Sequence, residues 1–96
     1  MKHLEKILPA FKEFMQLEGN KLTVYMQDGT AKDVGKNGVQ ASDLIFFIRE
    51  LFASLNESVP CRENALTITH LDEAWHWQLR RDSDRLIRGV EGTQEK

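Results

Sequence analysis

The feature that most constrains the fold is a pair of long amphipathic segments separated by four residues. The first, at about 42–56, is apolar on more than one face, and the second runs from about residue 61 to residue 88. A turn as short as Glu57-Ser58-Val59-Pro60 makes two helices antiparallel neighbours. Residues 41–88 are therefore predicted to form a helical hairpin, with Ser58 as the cap of its second helix.

The first helix of this hairpin carries apolar side chains most of the way round its axis. They are Leu44, Ile45, Phe46, Phe47, Ile48, Leu51, Phe52 and Leu55. Such a helix is buried on several sides. Because a chain of 96 residues buries a smaller fraction of its surface than a large domain, we expect part of this helix to meet another subunit.

The residues before the hairpin predict one more helix and a small sheet. Residues 3–18 have apolar positions at helical spacing, and Pro9 marks either the start of that helix or a kink. The β-forming residues 21–27 and the turn Asp28-Gly29 predict a β-hairpin that returns to residue 34. The predicted fold is α+β in a single domain, with an N-terminal helix (1–20), a short β-hairpin (21–34), a long antiparallel helical hairpin (41–88) and a polar tail (89–96).

Composition excludes several classes of partner. The net charge of −2 gives no basic field that would collect a nucleic acid polymer. No apolar stretch approaches the roughly 20 residues that span a bilayer, and the N-terminus does not read as a signal peptide. Cys61 is the single cysteine, so there is no disulfide framework. We expect a cytoplasmic protein that does not contact membranes.

A stripe of arginines lies near the end of the second helix. Four of the six arginines fall within residues 80–88, and Arg81, Arg85 and Arg88 share one face at spacing i, i+4, i+7. The planar guanidinium fork matches phosphate or carboxylate geometry, so the stripe could hold a compact anion with two or three phosphates. The alternative is a solvated face in which the two interleaved aspartates pair with the arginines.

Two further side chains of the same helix suit a nucleotide. Asn64 lies in the first turn, where free N–H groups attract anions and its amide could bond a base or ribose. Trp77 lies one turn before Arg81 and could support a purine, whereas Trp75 belongs to the core stripe. The alternatives are a polar interface position for Asn64 and packing against a partner helix for Trp77.

The remaining reactive side chains predict no catalytic, metal or cofactor site. His70 and His76 do not share a helix face as an i, i+4 zinc pair does, and the adjacent Asp72 and Glu73 also diverge. Cys61 lacks the signature of a catalytic cysteine. There is no Walker loop, dinucleotide fingerprint or hydrolase elbow.

Three stretches of the chain form a recognisable pattern. They are residues 61–74 (CRENALTITHLDEA), then Trp77 with Arg81, Arg85 and the ending 88–93 (RGVEGT), and residues 34–40 (VGKNGVQ). Together they resemble the phage Thoeris anti-defence sponge family, whose helical hairpin domain is shared with the anti-CBASS cyclic-nucleotide sponges. The resemblance covers about residues 34–93, and the segment before residue 34 has no counterpart in it.

This resemblance implies a non-enzymatic phage protein that binds immune signalling nucleotides and sequesters them without cleavage. Cyclic ADP-ribose isomers and cyclic oligonucleotides are the implied ligands, held between the subunits of a homo-oligomer, either a dimer or a hexamer. The implied contacts are Arg81 and Asn64, then Arg85 and Arg88, with Thr93 if the tail closes over the ligand. The alternative function is a protein-interaction module that docks through Phe46, Phe47, Ile48 and Phe52.

Helix geometry adds one constraint on such a site. Asn64 and the arginines lie about 25 Å apart along a helix that rises 1.5 Å per residue. One compact ligand does not reach both ends within a chain. If both ends contribute, we expect a neighbouring subunit to complete the pocket.

Overall fold

Two long helices, packed side by side, form the frame of the molecule in the computed structural model, which describes residues 2–11 and 13–89. The elements in chain order are α1 (Lys2–Ile7), a 3₁₀ turn (Leu8–Phe11), β1 (Met15–Glu18), β2 (Lys21–Val24), α2 (Ala31–Val34), α3 (Ala41–Ser58) and α4 (Arg62–Arg88). The predicted α+β class and the helical hairpin are confirmed. The predicted tail, including Thr93, lies outside the described residues except for Gly89.

The ends of the hairpin helices follow from local capping. At the start of α3, the N–H of Gln40 donates to the Asp43 carboxylate at 2.9 Å, which is half of a capping box. The prediction that Ser58 caps α4 is wrong, because α3 continues through Ser58 and the cap is Cys61. Gly89 ends α4 in the left-handed conformation with φ of 75°, as a helix-terminating glycine does.

Two side-chain pairs set the register of α3 against α4. The ring of Phe46 lies 5.0 Å from that of Trp75, and Arg49 Nε donates to Asp72 Oδ1 at 2.8 Å. Carried along both helices, this register puts the first residue of α3 beside about residue 80 of α4. The last two turns of α4 therefore extend beyond the start of α3. We call residues 81–88 the overhang.

The N-terminal helix is confirmed, but it is much shorter than predicted. It ends at Ile7 and gives way to a 3₁₀ turn that contains Pro9, since proline interrupts the helical hydrogen bonds. Residues 15–18, predicted to be helical, form β1 instead. Their alternation of apolar and polar side chains fits a strand as well as a helix over so short a stretch.

The β-hairpin is also confirmed, but its position is wrong. It joins β1 to β2 antiparallel through Gly19-Asn20, with Met15 opposite Val24 and Glu18 opposite Lys21. Gly19 has φ of 62°, the conformation that a two-residue hairpin turn requires of its first residue. The predicted N-terminal helix (1–20) includes these two residues, and that assignment is wrong.

The segment predicted as the returning strand, residues 30–34, contains the short helix α2. The chain after β2 pairs instead with residue 39: Met26 and Val39 form a parallel bridge, and the Gln27 N–H donates to the Val39 carbonyl at 2.9 Å. Gly38 makes this approach possible, because a Cβ there would lie 2.3 Å from the carbonyl carbon of Met26. Residues 26–40 thus form a loop closed at its base, which we call the wall loop.

A small core lies between the N-terminal segment and α3. Its buried apolar members among the described residues are Leu4, Ile7, Phe11, Met15, Val39 and Phe47. The His3 ring and the Ser54 hydroxyl, 2.6 Å apart, help to fix α1 on α3. The apolar surface of α3 is therefore covered by α4 on one side and by the N-terminal segment on another. No helix in the described ranges is long and apolar enough to cross a membrane.

Candidate functional site

The antiparallel hairpin brings the start of α3 beside the end of α4, and a cavity of about 640 Å³ lies there. The wall loop closes its third side. The lining residues are Met26, Gln27, Gly29, Thr30, Ala31, Lys36, Val39, Gln40, Ala41, Ser42, Asp43, Arg81, Asp82 and Arg85. The cavity is thus lined by two parts of the chain that are distant in sequence, residues 26–43 and the overhang.

The overhang supplies two of the three predicted arginines to this cavity. Arg85 is only 6% exposed, which makes it the buried cation among the described residues, and Arg81 lines the cavity near its surface. A guanidinium away from bulk water interacts with an anion more strongly than one on the surface. Arg81 and Arg85 therefore give the cavity two guanidinium groups that can hold an anion.

Arg88 lies outside the cavity. Its Nε donates to Asp84 at 3.1 Å as an exposed i, i+4 pair, which is the solvated arrangement that sequence analysis kept as the alternative. Arg81 also has a carboxylate nearby, since its guanidinium lies 3.8 Å from Asp82. The helical spacing of the stripe was correct, but its last member points to a different environment.

Several lining residues were not found from the sequence. Lys36 brings a cation from the wall loop, and Asp43 and Asp82 bring carboxylates. Thr30 lines the cavity as well, and its hydroxyl oxygen is buried without a hydrogen-bond partner in the described structure. Residues 34–40 stood out as a motif, but only the closure of the wall loop shows which side chains meet α4.

Asn64 is at the opposite end of the molecule. It lies in the first turn of α4, where its backbone N–H donates to Cys61 Sγ at 3.4 Å. The 17 residues between Asn64 and Arg81 correspond to about 26 Å of helix. A single chain therefore does not bring these two predicted contacts together.

The two tryptophans separate as predicted. Trp75 packs on Phe46 in the hairpin, whereas Trp77 is 66% exposed and does not line the cavity. The guanidinium carbon of Arg80 lies 5.5 Å from the centre of the Trp77 ring, within the range of a cation–π contact. Trp77 and Arg80 thus form an exposed pair on the outer face of α4.

Of the four residues of the alternative docking surface, Phe47 is buried, Phe46 and Phe52 are half-buried, and Ile48 is exposed. Phe47 is buried against Phe11, and Phe46 packs between Phe11 and Trp75. Within residues 2–11 and 13–89, no three metal-ligating side chains cluster, and His70 pairs with Glu73 at 3.6 Å on the surface.

Comparison with known proteins agrees with the geometry of the hairpin. Residues 18–81 match the family described as Acb2/Tad1, hairpin domain. The chain is also similar to Thoeris anti-defense 1 of Bacillus phage SBSphiJ7, with 46% identity over 79 residues. That alignment covers 81% of this chain but 56% of the relative, so the chain spans little more than half the length of that curated protein.

The family match extends the resemblance found in the sequence. It begins at residue 18 rather than near residue 34, and it therefore includes β2 and the whole wall loop. The expectation that the segment before residue 34 has no counterpart in the family is therefore wrong for residues 18–33. The family that the motifs indicated is confirmed: this chain belongs to the Acb2/Tad1 hairpin-domain family.

Proposed function

We propose that this protein binds a signalling nucleotide of a bacterial immune system and sequesters it without cleavage. The observation that carries the proposal is the cavity between the overhang, the start of α3 and the wall loop, lined by Arg81 and the buried Arg85. The name of the phage relative, Thoeris anti-defense 1, marks that protein as one that counteracts a defence called Thoeris. We extend this role to the present chain and place its action in the host cytoplasm.

The chemistry of the cavity suits a small phosphate-containing nucleotide. Guanidinium groups hold phosphate oxygens in pairs, and the carboxylates of Asp43 and Asp82 are acceptors for ribose hydroxyl or base amino groups. Its volume of about 640 Å³ is within the range of sites for small ligands. Cyclic ADP-ribose isomers are the first candidates, and cyclic oligonucleotides are the second.

Sequestration makes different demands from catalysis. The protein must hold the nucleotide tightly and release it slowly, so that the immune receptor never meets its activator. It requires no general base or nucleophile. We therefore assign Arg81 and Arg85 to binding and give no residue a catalytic role.

We further propose that the site is completed by a second copy of the chain. Two-fold symmetry would pair the outer faces of two α4 helices in antiparallel fashion, which brings the start of one α4 to the end of the other. The first turn of one α4, which contains Asn64, would then lie beside the last turns of the other, which contain Arg81. This arrangement overcomes the separation of about 26 Å between the two residues along a single helix.

The outer face of α4 supports this pairing. Leu66, Trp77 and Ile87 lie on one side of the helix and are all exposed. On the same side, the first half of the helix carries Glu63 and Glu73 with Arg62, and the second half carries Arg80 and Arg88 with Asp84. Antiparallel helices would therefore bring the more acidic half of one copy toward the more basic half of the other.

Calorimetry against a panel of nucleotides tests the function. The panel contains cyclic ADP-ribose isomers, cyclic dinucleotides and cyclic trinucleotides. We expect at least one to bind with a dissociation constant well below micromolar and to be recovered intact after heat denaturation of the protein. Binding no tighter than micromolar to every nucleotide would contradict the proposal, and recovery of a hydrolysed product would indicate an enzyme.

A further inference from the structure

The wall loop contributes a cation to the cavity that no sequence motif had assigned to the site. Lys36 lines the cavity with Arg81 and Arg85. We propose that Lys36 is a third phosphate-binding residue and that Gln27 is the positioning residue that holds it there. This inference rests on the proposed function, because it concerns the same bound nucleotide.

Gln27 fixes the backbone on both sides of Lys36. Its Nε2 donates to the carbonyl of Gly35 at 2.9 Å, and its Oε1 accepts from the N–H groups of Asn37 at 3.0 Å and Gly38 at 3.3 Å. One amide side chain thus bridges the residue before Lys36 to the two residues after it. The lysine is on an exposed loop, yet its backbone is tied to the base of that loop.

A second amide reinforces this arrangement from the other strand of the loop. Asn37 Nδ2 donates to the Asp28 carbonyl at 2.8 Å, and Asn37 Oδ1 accepts from the Asp28 N–H at 2.9 Å. These contacts span eight to eleven residues of sequence and take the place of a regular strand ladder. The wall loop is therefore shaped before any nucleotide arrives, which lowers the entropic cost of binding.

The side chain of Lys36 is oriented as well. Its ammonium nitrogen lies 5.7 Å from the centre of the Phe14 ring, a cation–π distance. Lys36 also lines a neighbouring cavity of about 250 Å³ that contains Phe14, so it stands at the border of two cavities. The ring supports the ammonium without neutralising its charge.

Lys36 determines the sign of the net charge of the side chains that line the cavity. The charged side chains that line the cavity are Lys36, Arg81 and Arg85 against Asp43 and Asp82. Without Lys36 the two arginines and the two carboxylates would balance. The lysine therefore gives the lining its net positive charge, and as a compact cation it binds phosphate oxygens from the side opposite α4.

The test compares two lysines of the same loop. Lys36→Gln removes the cation at the cavity, and Lys32→Gln removes an exposed lysine of α2 that does not line it. The probes are the panel nucleotide that binds the unmodified protein most tightly and inorganic pyrophosphate. We expect Lys36→Gln to weaken nucleotide binding about tenfold and to reduce its salt dependence, while Lys32→Gln stays within about threefold.

The positioning role of Gln27 is tested by combining substitutions of Gln27 and Lys36 in one protein. Gln27→Met removes the donor to Gly35 and the acceptor for the N–H groups of Asn37 and Gly38 without adding a charge to the cavity, and Gln16→Met on β1 is its control. We expect Gln27→Met to weaken binding when Lys36 is present but to add little when Lys36 is already glutamine. Fully additive losses would overturn the positioning role.

Failure of the inference is distinct from failure of the proposed function. If the unmodified protein binds neither a panel nucleotide nor pyrophosphate, the proposed function fails and this inference with it. If the unmodified protein binds tightly and Lys36→Gln behaves like Lys32→Gln, the function stands and the role of Lys36 is overturned.

Discussion

Arg49 and Asp72 join the two hairpin helices through a hydrogen bond of 2.8 Å, from the guanidinium Nε to the carboxylate. Arg49 also donates from Nη1 to Glu50 at 2.8 Å. The bond to Asp72, helped by Glu50 and opposed by burial, raises the pKa of Arg49 above its ordinary value. This pair and the Phe46–Trp75 contact fix the register that places the overhang.

We expect Arg49→Met to lower the free energy of unfolding by about 1 kcal/mol, the upper end for a partly exposed pair. Urea denaturation measures the change, with Lys6→Met as control because the Lys6–Glu57 pair is mostly exposed. Because the pKa of Arg49 is raised in the folded state, the ion pair stabilises the fold at every pH below the pKa of this arginine in the unfolded chain. That stabilisation is lost only at higher pH, as the arginine of the folded protein loses its proton. The arginine's contribution should therefore stay constant between pH 6 and pH 9, and a loss across that range would contradict this account.

Replacement of Gly38 by alanine should damage the wall loop. The new Cβ would lie 2.3 Å from the Met26 carbonyl carbon and 2.5 Å from the Gln27 nitrogen, so the backbone must move. We expect the free energy of unfolding, measured by thermal denaturation, to fall by about 1–3 kcal/mol, and we expect nucleotide binding to weaken. Gly89→Asn is the control, because nothing lies near that Cβ and asparagine tolerates the left-handed helical conformation of that residue, with φ of 75° and ψ of 20°. Equal losses in the two variants would show that the close approach is unimportant.

Arg81 and Arg88 should contribute differently to nucleotide binding, because the first lines the cavity and the second does not. Arg81→Ala removes a guanidinium from the cavity, and Arg88→Ala removes one paired with Asp84 outside it. We expect calorimetry to show at least tenfold weaker nucleotide binding for the first and less than threefold for the second. Light scattering should show the same mass for both variants. A larger loss from Arg88→Ala would return that residue to the site.

The outer face of α4 should govern self-association. Trp77→Lys places a charge on the exposed face that we propose as the subunit contact, and Val59→Lys places one on the exposed turn between the helices. We expect light scattering to show the mass of one chain, 11.1 kDa, for Trp77→Lys and a multiple of it for Val59→Lys. A multiple for both would place the contact elsewhere, and a single-chain mass for the unmodified protein would contradict the shared site.

The helical hairpin could be predicted because its signal is long and repetitive. Residues 62–88 span about seven turns, and Ile68, Leu71, Trp75 and Leu79 recur at helical spacing over the middle of them. The first 34 residues offer only short signals. Gly19-Asn20 suits a helix end as well as a hairpin turn, and the choice depends on whether Met15 can pair with Val24.

The residues that line the candidate site also divide into those that local sequence patterns predict and those that they do not. Arg81 and Arg85 were found from spacing along one helix, because a helix fixes the relative directions of its own side chains. Lys36 and Asp43 were missed, since their place at the cavity depends on how the wall loop closes. That closure rests on Gln27, Asn37 and Gly38, whose contacts join residues up to eleven positions apart.

The contacts that stabilise the hairpin and the arginines that we propose to bind the ligand lie on different parts of α4. The helix contacts that stabilise the hairpin lie along residues 41–80, whereas Arg81 and Arg85 project past them and meet a loop that has its own hydrogen bonds. Exposed cavity residues of the overhang and the wall loop, such as Arg81 and Lys36, can therefore be replaced with little effect on the contacts that stabilise the hairpin. Under the proposed function, a preference for a different nucleotide could arise through a few such residues at one end of the molecule.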